Sequence, residues 1–311
     1  MKATATAHAN IALVKYWGKR DDALLLPQAA SLSVALDRLL TTTTVDLAAA
    51  EDSLELDGKR ASGQELRRAR ALLDAAGIFE RARIVSRNDF PTGAGLASSA
   101  SGFAALALAA CAAAGQNRTS KELSALARLG SGSAARSVPG GWAVWESESA
   151  RQVFPPSHWD LRFCVAFCAV GPKAVGSRDG MRVTRETSPY HAAWIEQCGR
   201  DLPRALQLLG SRDLDGLGAL AERNALMMHA DALAADPPLL YWEPATVGCL
   251  QALRALRAEG VPAWGTIDAG PHLVALCPPD AAKQVETRLR AISGVRDVLV
   301  CAPAGGARVV P

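Results

Sequence analysis

The sequence predicts an α+β protein in two halves, and three observations carry this. The chain has 311 residues, about two domains at roughly 150 residues each. Its first half mixes alternating or β-branched segments with an amphipathic helix and a wholly apolar one. From Trp264 onward it reads strand, tight turn, strand, helix, strand, which suits a small sheet with a helix on one face. The division falls in the mixed Gly/Lys/Ser/Arg connector at 171–180, giving residues 1–176 and 177–311.

In order along the chain, 4–15 alternates loosely and reads as the first strand. Residues 24–36 form a loop leading into a second strand, and TTTTVDL at 41–47 is a β-branched strand. A short strand at 54–56 lies among turn signals. Residues 64–76 carry Leu66, Ala69, Leu72 and Leu73 on one helical face, with Gly77 as the stop. A strand at 82–86 precedes a glycine-rich loop and a long apolar helix that includes 103–114. The next helix, 120–129, takes Ser120 as its N-cap. Residues 130–141 read as a loop of small residues, and 142–145 and 160–170 as strands, the second apolar enough to be central. The chain is then mostly helical to Glu259, followed by a hairpin over 264–277 with its turn at 268–271. A helix at 281–292 and a strand at 295–302 complete it.

Composition narrows the classes. Hydrophobic residues are 49% and charged residues 21%, which excludes a disordered chain, a collagen and a coiled coil. A net charge of +3 gives no basic face for nucleic acid. The apolar run at 103–114 is short of the roughly 20 residues that span a bilayer. The start of the chain lacks the apolar core of a signal peptide, so a soluble cytoplasmic protein is expected. The seven cysteines form no CxxC pair and read as buried thiols in a reducing compartment. His8, His158, His191 and His229 make no HxxxH or HExxH pattern, so no protein cage for a metal is expected.

Several residues have chemistry to offer. PTGAGLASSASG at 91–102 puts two glycines and three hydroxyls (Ser98, Ser99, Ser101) where a long helix begins. Free N–H groups and the helix dipole there suit phosphate, and the hydroxyls suit Mg²⁺. It is neither GxxxxGK[ST] nor GxGxxG, and a plain glycine turn with a serine cap fits the residues equally. Lys15 lies within an apolar strand, where a buried lysine needs a partner; an edge lysine in solvent is the alternative. Asp268 ends a strand before a turn of small residues. It can reach a substrate hydroxyl or simply form the turn. Arg136 follows GSGS, and its fork matches a carboxylate; an exposed arginine at a helix start is the other reading.

The loop at 91–102 resembles the nucleotide-binding motif of the GHMP kinase superfamily. ANIALVKYWGKRD at 9–21 resembles one member, the diphosphomevalonate decarboxylase family. So do NDFPTGAGLASS at 88–99, GSGSAARS at 130–137, GSRDGM at 176–181 and DAGP at 268–271. These five blocks keep the family's order over almost the whole chain. The resemblance implies a GHMP kinase-like two-domain fold, ribosomal S5 domain 2-like in its first half and ferredoxin-like in its second. It implies that ATP and Mg²⁺ are used to phosphorylate the 3-hydroxyl of mevalonate 5-diphosphate, with release of phosphate and CO₂ to give isopentenyl diphosphate. A homodimer, and no nucleic-acid or membrane partner, is expected with it.

Carried onto this chain, the resemblance makes Asp268, Lys15 and Arg136 catalytic. Tyr16, Lys19, Ser177 and Arg178 hold the diphosphate, and Ser131, Gly132 and Ser133 add donors. Asn10, Arg68 and Met181 complete the substrate set, although a solvated helix face accounts for most of the arginines near Arg68. Met181, with Trp17 and Trp142, also fits a role as core. Pro91, Gly93, Gly95, Leu96, Ala97, Ser98, Ser99 and Ser101 bind ATP, with Ser98 and Ser99 near Mg²⁺. Three positions depart from the family: His272 stands where Asn is usual, Ser101 where Ala is common and Ala135 where Cys is common. A mevalonate 5-phosphate decarboxylase, a mevalonate 3-kinase and a non-catalytic ATP or metabolite sensor are the alternatives.

Overall fold

The computed structural model describes residues 1–61, 63–90, 98–169, 171 and 174–310. In the first half these form β1 (Lys2–Val14), β2 (Lys19–Asp21), β3 (Leu26–Pro27), β4 (Ser31–Asp46), β5 (Ser53–Leu56) and β6 (Lys59–Arg60). There follow α1 (Gly63–Ala75), β7 (Arg83–Asn88), α2 (Ser98–Ala113), α3 (Ser120–Gly130), the single turn α4 (Ala134–Ser137), β8 (Trp142–Trp145) and β9 (Ala150–Phe154). The remainder is β10 (Arg162–Phe167), α5 (Ser177–Thr187), α6 (His191–Ser211), α7 (Leu214–Leu233) and α8 (Pro244–Ala258). It ends with β11 (Trp264–Ile267), β12 (Leu273–Cys277), α9 (Ala282–Arg290), β13 (Asp297–Cys301) and β14 (Arg308–Val310).

Two sheets organise the molecule. The larger runs β14-β1-β4-β7-β5-β6, with β8 and β9 branching from β4. The smaller is antiparallel, in the order β11-β12-β10-β13. α2 is alanine-rich and apolar all round, as a buried helix must be. It packs with α1 and α3 on one end of β1, around Ala5, Ala7, Leu72, Leu73 and Leu126. Burying Leu72 and Leu73 is worth about 1.5–3 kcal/mol each relative to exposure. A second core, around Ile11, Leu13, Trp142, Phe163, Val165 and Leu217, fills the space where the two sheets meet α6 and α7. A third lies where the smaller sheet meets α8 and α9, around Cys249, Leu253, Val285 and Leu289.

The α+β reading holds, with instructive differences. β4 is one strand where the sequence suggested two segments. Asp37 and Arg38 break its alternation, and the register against β1 shifts between His8 and Asn10. The cap of α3 is Thr119, not Ser120, because Thr119 and Glu122 make a reciprocal capping box. α4 interrupts the loop expected at 130–141. β9 and β14 were not foreseen. β14 is three residues long and exists through its pairing with β1, which no local pattern announces. β10 precedes residue 176 yet belongs to the smaller sheet, and β14 returns to the larger. A cut at 176 therefore does not coincide with the sheets.

Candidate active site

β1 releases its chain at Val14, so Lys15 emerges where the two sheets approach. β11 stops at Ile267, and Asp268 begins a tight turn in which Gly270 N–H donates to the Asp268 carbonyl at 2.7 Å. Lys15 Nζ donates to Asp268 Oδ1 at 2.5 Å and to the Ala12 carbonyl at 2.8 Å. Lys15 is 1% exposed and the Asp268 side chain 26%, so the pair is closed behind and open in front. Burial pulls the Lys15 pKa below the usual lysine value, Asp268 opposes this, and the nearby Arg136 adds to it. Residues 253 positions apart thus form an ammonium–carboxylate pair whose proton balance an incoming anion will alter.

Arg136 is 3% exposed on α4. Its Nε donates to Asn10 Oδ1 at 3.1 Å and its Nη1 to Ser31 Oγ at 2.7 Å, which fixes the guanidinium plane near the Trp145 ring. Asn10 is held in turn, its Nδ2 donating to the Ser133 carbonyl and to Ser137 Oγ. Asn10, one of the expected substrate contacts, therefore spends its amide on orienting Arg136. Among the described residues no carboxylate forms an ion pair with Arg136, and burial pulls its pKa down to about 10. The Asp268 carboxylate acts on it only through space, so the guanidinium is left to receive an incoming anion directly.

Tyr16 packs on Trp145 with ring centres 4.6 Å apart, and burial raises its pKa against the pull of Arg136 and Arg178. Gly132 makes this possible, since a Cβ there would stand 2.8 Å from Tyr16 Oη and 3.0 Å from the Trp145 ring. Gly132→Ala is therefore expected to displace Tyr16 and raise the KM for the substrate about tenfold, the worth of one charged hydrogen bond. An unchanged KM would remove Tyr16 from the binding set. Ser131 Oγ lies 3.1 Å from Ser99 Oγ and 3.3 Å from Ser133 Oγ, so these hydroxyls join the GSGS turn to the start of α2. Lys19 Nζ donates to Asp22 Oδ1 at 2.7 Å, and Arg185 Nη1 lies 2.9 Å from Asp22 Oδ2. Ser177 opens α5 and Arg178 is exposed beside it, close enough to act electrostatically on both Tyr16 and Arg68. Met181 faces inward with Trp17, Trp194 and Met228, so its side chain is core.

On the other side of the GSGS turn is a cleft of about 220 Å³, lined in part by Leu54, Arg68, Ile84, Asn88, Ser98 and Ser99. Arg68 donates Nε and Nη2 to the Gly130 carbonyl and lies over the Phe103 ring; burial, with Arg178, pulls its pKa down to about 10. It is tied to the cleft wall rather than to a solvated face. Ser98 and Ser99 begin α2, where the main-chain N–H groups of a helix start and the hydroxyl oxygens fit phosphate and a hard cation. Ser101 does not share this face. It is fully buried and lies 2.6 Å from Thr41 Oγ1, one helical turn inside, so its hydroxyl serves the helix–sheet contact. Pro91, Gly93, Gly95, Leu96 and Ala97 lie outside the described residues.

Sequence reasoning missed Ser31, Asn224, Arg185 and His229. Ser31 has no motif. The signal for Asn224 and His229 was their place among the polar residues, with Glu222 and Asp231, that α7 carries between apolar ones. His272 turns away from Asp268: its Nδ1 accepts from the Cys168 N–H at 3.0 Å, against Phe167. His229 is held against the main chain at Ile267 and Asp268, and burial, reinforced by Lys15, lowers its pKa to about 3. The unfolded chain protonates this ring below pH 6.5 while the folded protein does not until about pH 3. Stability should therefore fall with acidification across that window, by about 1.4 kcal/mol per pH unit. The stability of wild type and His229→Gln, from urea melts, should diverge in its pH slope between about pH 6 and 4, and parallel slopes would show that His229 is not the group responsible.

Comparison with known proteins places this geometry. Residues 7–153 match the diphosphomevalonate decarboxylase-like N-terminal domain, and residues 164–300 the mevalonate 5-diphosphate decarboxylase C-terminal domain. The chain is 36% identical to the diphosphomevalonate decarboxylase of Aspergillus fumigatus, covering 94% of this chain and 81% of that protein. It is 34% identical to the human diphosphomevalonate decarboxylase, covering 87% and 75%. Among solved structures, mevalonate diphosphate decarboxylase from Staphylococcus aureus superposes with a TM-score of 0.91 at 35% identity, covering 100% of this chain and 98% of that one. A structure described as "MDDEF in complex with MVAPP, AMPPCP and Magnesium" superposes at 0.92 with 36% identity, covering 100% and 99%. With both halves matched, the chain belongs to the diphosphomevalonate decarboxylase family.

Proposed function

We infer that the protein catalyses the ATP-dependent decarboxylation of mevalonate 5-diphosphate to isopentenyl diphosphate, a step of isoprenoid biosynthesis. The observation that carries this is the Lys15–Asp268 pair near a buried Arg136 that, among the described residues, makes no ion pair of its own. The substrate supplies what this arrangement lacks: a carboxylate, a tertiary hydroxyl and a diphosphate.

Each group has a task. Asp268 accepts the hydrogen bond of the 3-hydroxyl and takes its proton as the oxygen attacks the γ-phosphorus of ATP, releasing ADP. Lys15 holds the Asp268 carboxylate in place and offers a donor to the moving phosphoryl group. Arg136 fixes the C1 carboxylate. The C3–O bond then breaks with its electron pair leaving on phosphate. The C1–C2 pair becomes the C2=C3 double bond, and CO₂ departs. Interactions that strengthen as phosphate leaves act on this step more than ground-state binding does. Tyr16, Lys19, Ser177 and Arg178 supply the polar and cationic rim for the diphosphate, with Ser131, Gly132 and Ser133 beneath. Ser98 and Ser99 are where we place the ATP phosphates and Mg²⁺, which when bound offsets phosphate charge. The same reading makes it a cytoplasmic homodimer: the cytoplasm because seven free, buried thiols persist in a reducing compartment, the dimer on the resemblance alone.

The test is a coupled assay with ATP and Mg²⁺ on mevalonate 5-diphosphate and, separately, mevalonate 5-phosphate. ADP and CO₂ in equal amounts from the diphosphate alone are expected. ADP without CO₂ would mean a 3-kinase, and preference for the monophosphate would mean that the diphosphate rim is misassigned. Absence of any product would leave a sensor.

A further inference from the structure

We propose that Asn224, gripped by Asp201, is a positioning residue for Lys15, so that α7 sets the reacting ion pair from behind; this rests on the function inferred above. Lys15 lies one residue past the end of β1, where its main-chain N–H has left the strand ladder and, being buried, must find an acceptor. That acceptor is Asn224 Oδ1 at 2.8 Å. Asn224 is completely buried, and its Nδ2 donates to Asp201 Oδ2 at 2.8 Å. A carboxylate there can only accept and a main-chain N–H can only donate, so the Asn224 amide has one workable orientation. Asp201, 2% exposed on α6, is locked in turn: its Oδ1 accepts from Gln197 Nε2 at 2.7 Å and Arg223 Nη2 at 2.6 Å.

The chain of contacts is therefore α6 carboxylate, α7 amide, Lys15 main chain, Lys15 ammonium, Asp268. α7 reaches the far member of the pair as well, because His229 sits against the Asp268 main chain. None of Asn224, Asp201, Gln197 or Arg223 is among the groups assigned to hold substrate. Their effect must pass through where Lys15 stands. A displacement of about 1 Å in such a group costs about 100-fold in rate.

The hydrogen-bond polarity gives a test that mere packing would not pass. Asn224→Asp still accepts from the Lys15 N–H but opposes the Asp201 carboxylate. It should lower kcat about 100-fold while the KM values for ATP and mevalonate 5-diphosphate stay within about threefold. Adding Asp201→Asn reverses the polarity of the link. The new amide oxygen keeps Gln197 and Arg223, and its nitrogen donates to the new carboxylate. This double variant should regain at least about tenfold of the lost kcat. In lysine-¹⁵N-labelled protein, the Lys15 Nζ resonance should move in Asn224→Asp and return in the double variant. That readout also decides the proposal should wild type release no CO₂, in which case the inferred function alone would fall. A double variant as slow as Asn224→Asp, a loss confined to KM, or an unmoved Nζ resonance would overturn the assignment. Should Asn224→Asp fail to fold, Asn224→Ser takes its place, and a kcat within twofold of wild type would overturn it equally.

Discussion

Asp268→Asn is expected to abolish CO₂ release, with kcat down by about 10²–10⁴-fold, while the affinity for an ATP analogue stays within about threefold. The substitution is isosteric, so the turn from Asp268 to Gly270 keeps its shape. One charge is nevertheless lost, and two roles go with it. The carboxylate inferred to accept the hydroxyl proton is gone, and so is the ion pair with Lys15. Burial already pulls the Lys15 pKa down and Asp268 opposes it. Without Asp268 the amine is deprotonated more readily, and its interaction with the transferring phosphoryl group weakens. The cleft near Ser98 and Arg68, where the nucleotide is proposed to bind, is built from other residues, so analogue binding followed by calorimetry should hardly change. A kcat within tenfold of wild type would reduce Asp268 to a turn residue, the reading its local sequence favours when the family resemblance is set aside.

What could be read from the sequence follows from where each group gets its position. Lys15 stands out as a charged side chain in an apolar strand, whereas Asp268 in a turn and Arg136 at a helix start are locally ordinary and were singled out by the family blocks that contain them. The helices α1 and α3 and the hairpin of β11 and β12 were legible from period and punctuation. Asn10 was legible as part of a block but not in its task, since only the fold puts its Oδ1 against Arg136, 126 residues away. Ser101 looked like its neighbours Ser98 and Ser99. The helical twist alone turns it from the cleft to Thr41. Asn224 and Asp201 belong to no motif, and their pairing becomes visible only once the buried faces of α6 and α7 are packed together. β14 was silent for the same reason, because a three-residue strand is defined by its partner.

Arg136→Lys is expected to lower kcat/KM for mevalonate 5-diphosphate by about 100-fold or more, and to lower kcat itself, not only to raise KM. The guanidinium is held by Asn10 through Nε and by Ser31 through Nη1, so its orientation is set before any ligand arrives. Lysine keeps one charge but has neither the plane nor the second donor edge, and it would leave Asn10 Oδ1 and Ser31 Oγ to find other partners. Were Arg136 only an anchor, lost binding would appear in KM. The inferred reaction asks more of it, because the C1–C2 bond must stand in line with the departing C3 oxygen, and the carboxylate's orientation decides that alignment. The ratio of ADP to CO₂ separates the two roles. A pure anchor keeps the ratio at one in the variant. An aligning residue lets phosphorylation run ahead of decarboxylation, so ADP exceeds CO₂ in the first turnovers and the 3-phospho intermediate accumulates in a rapid quench. A ratio of one with unchanged kcat would assign Arg136 to binding alone and leave the timing of decarboxylation to the leaving phosphate.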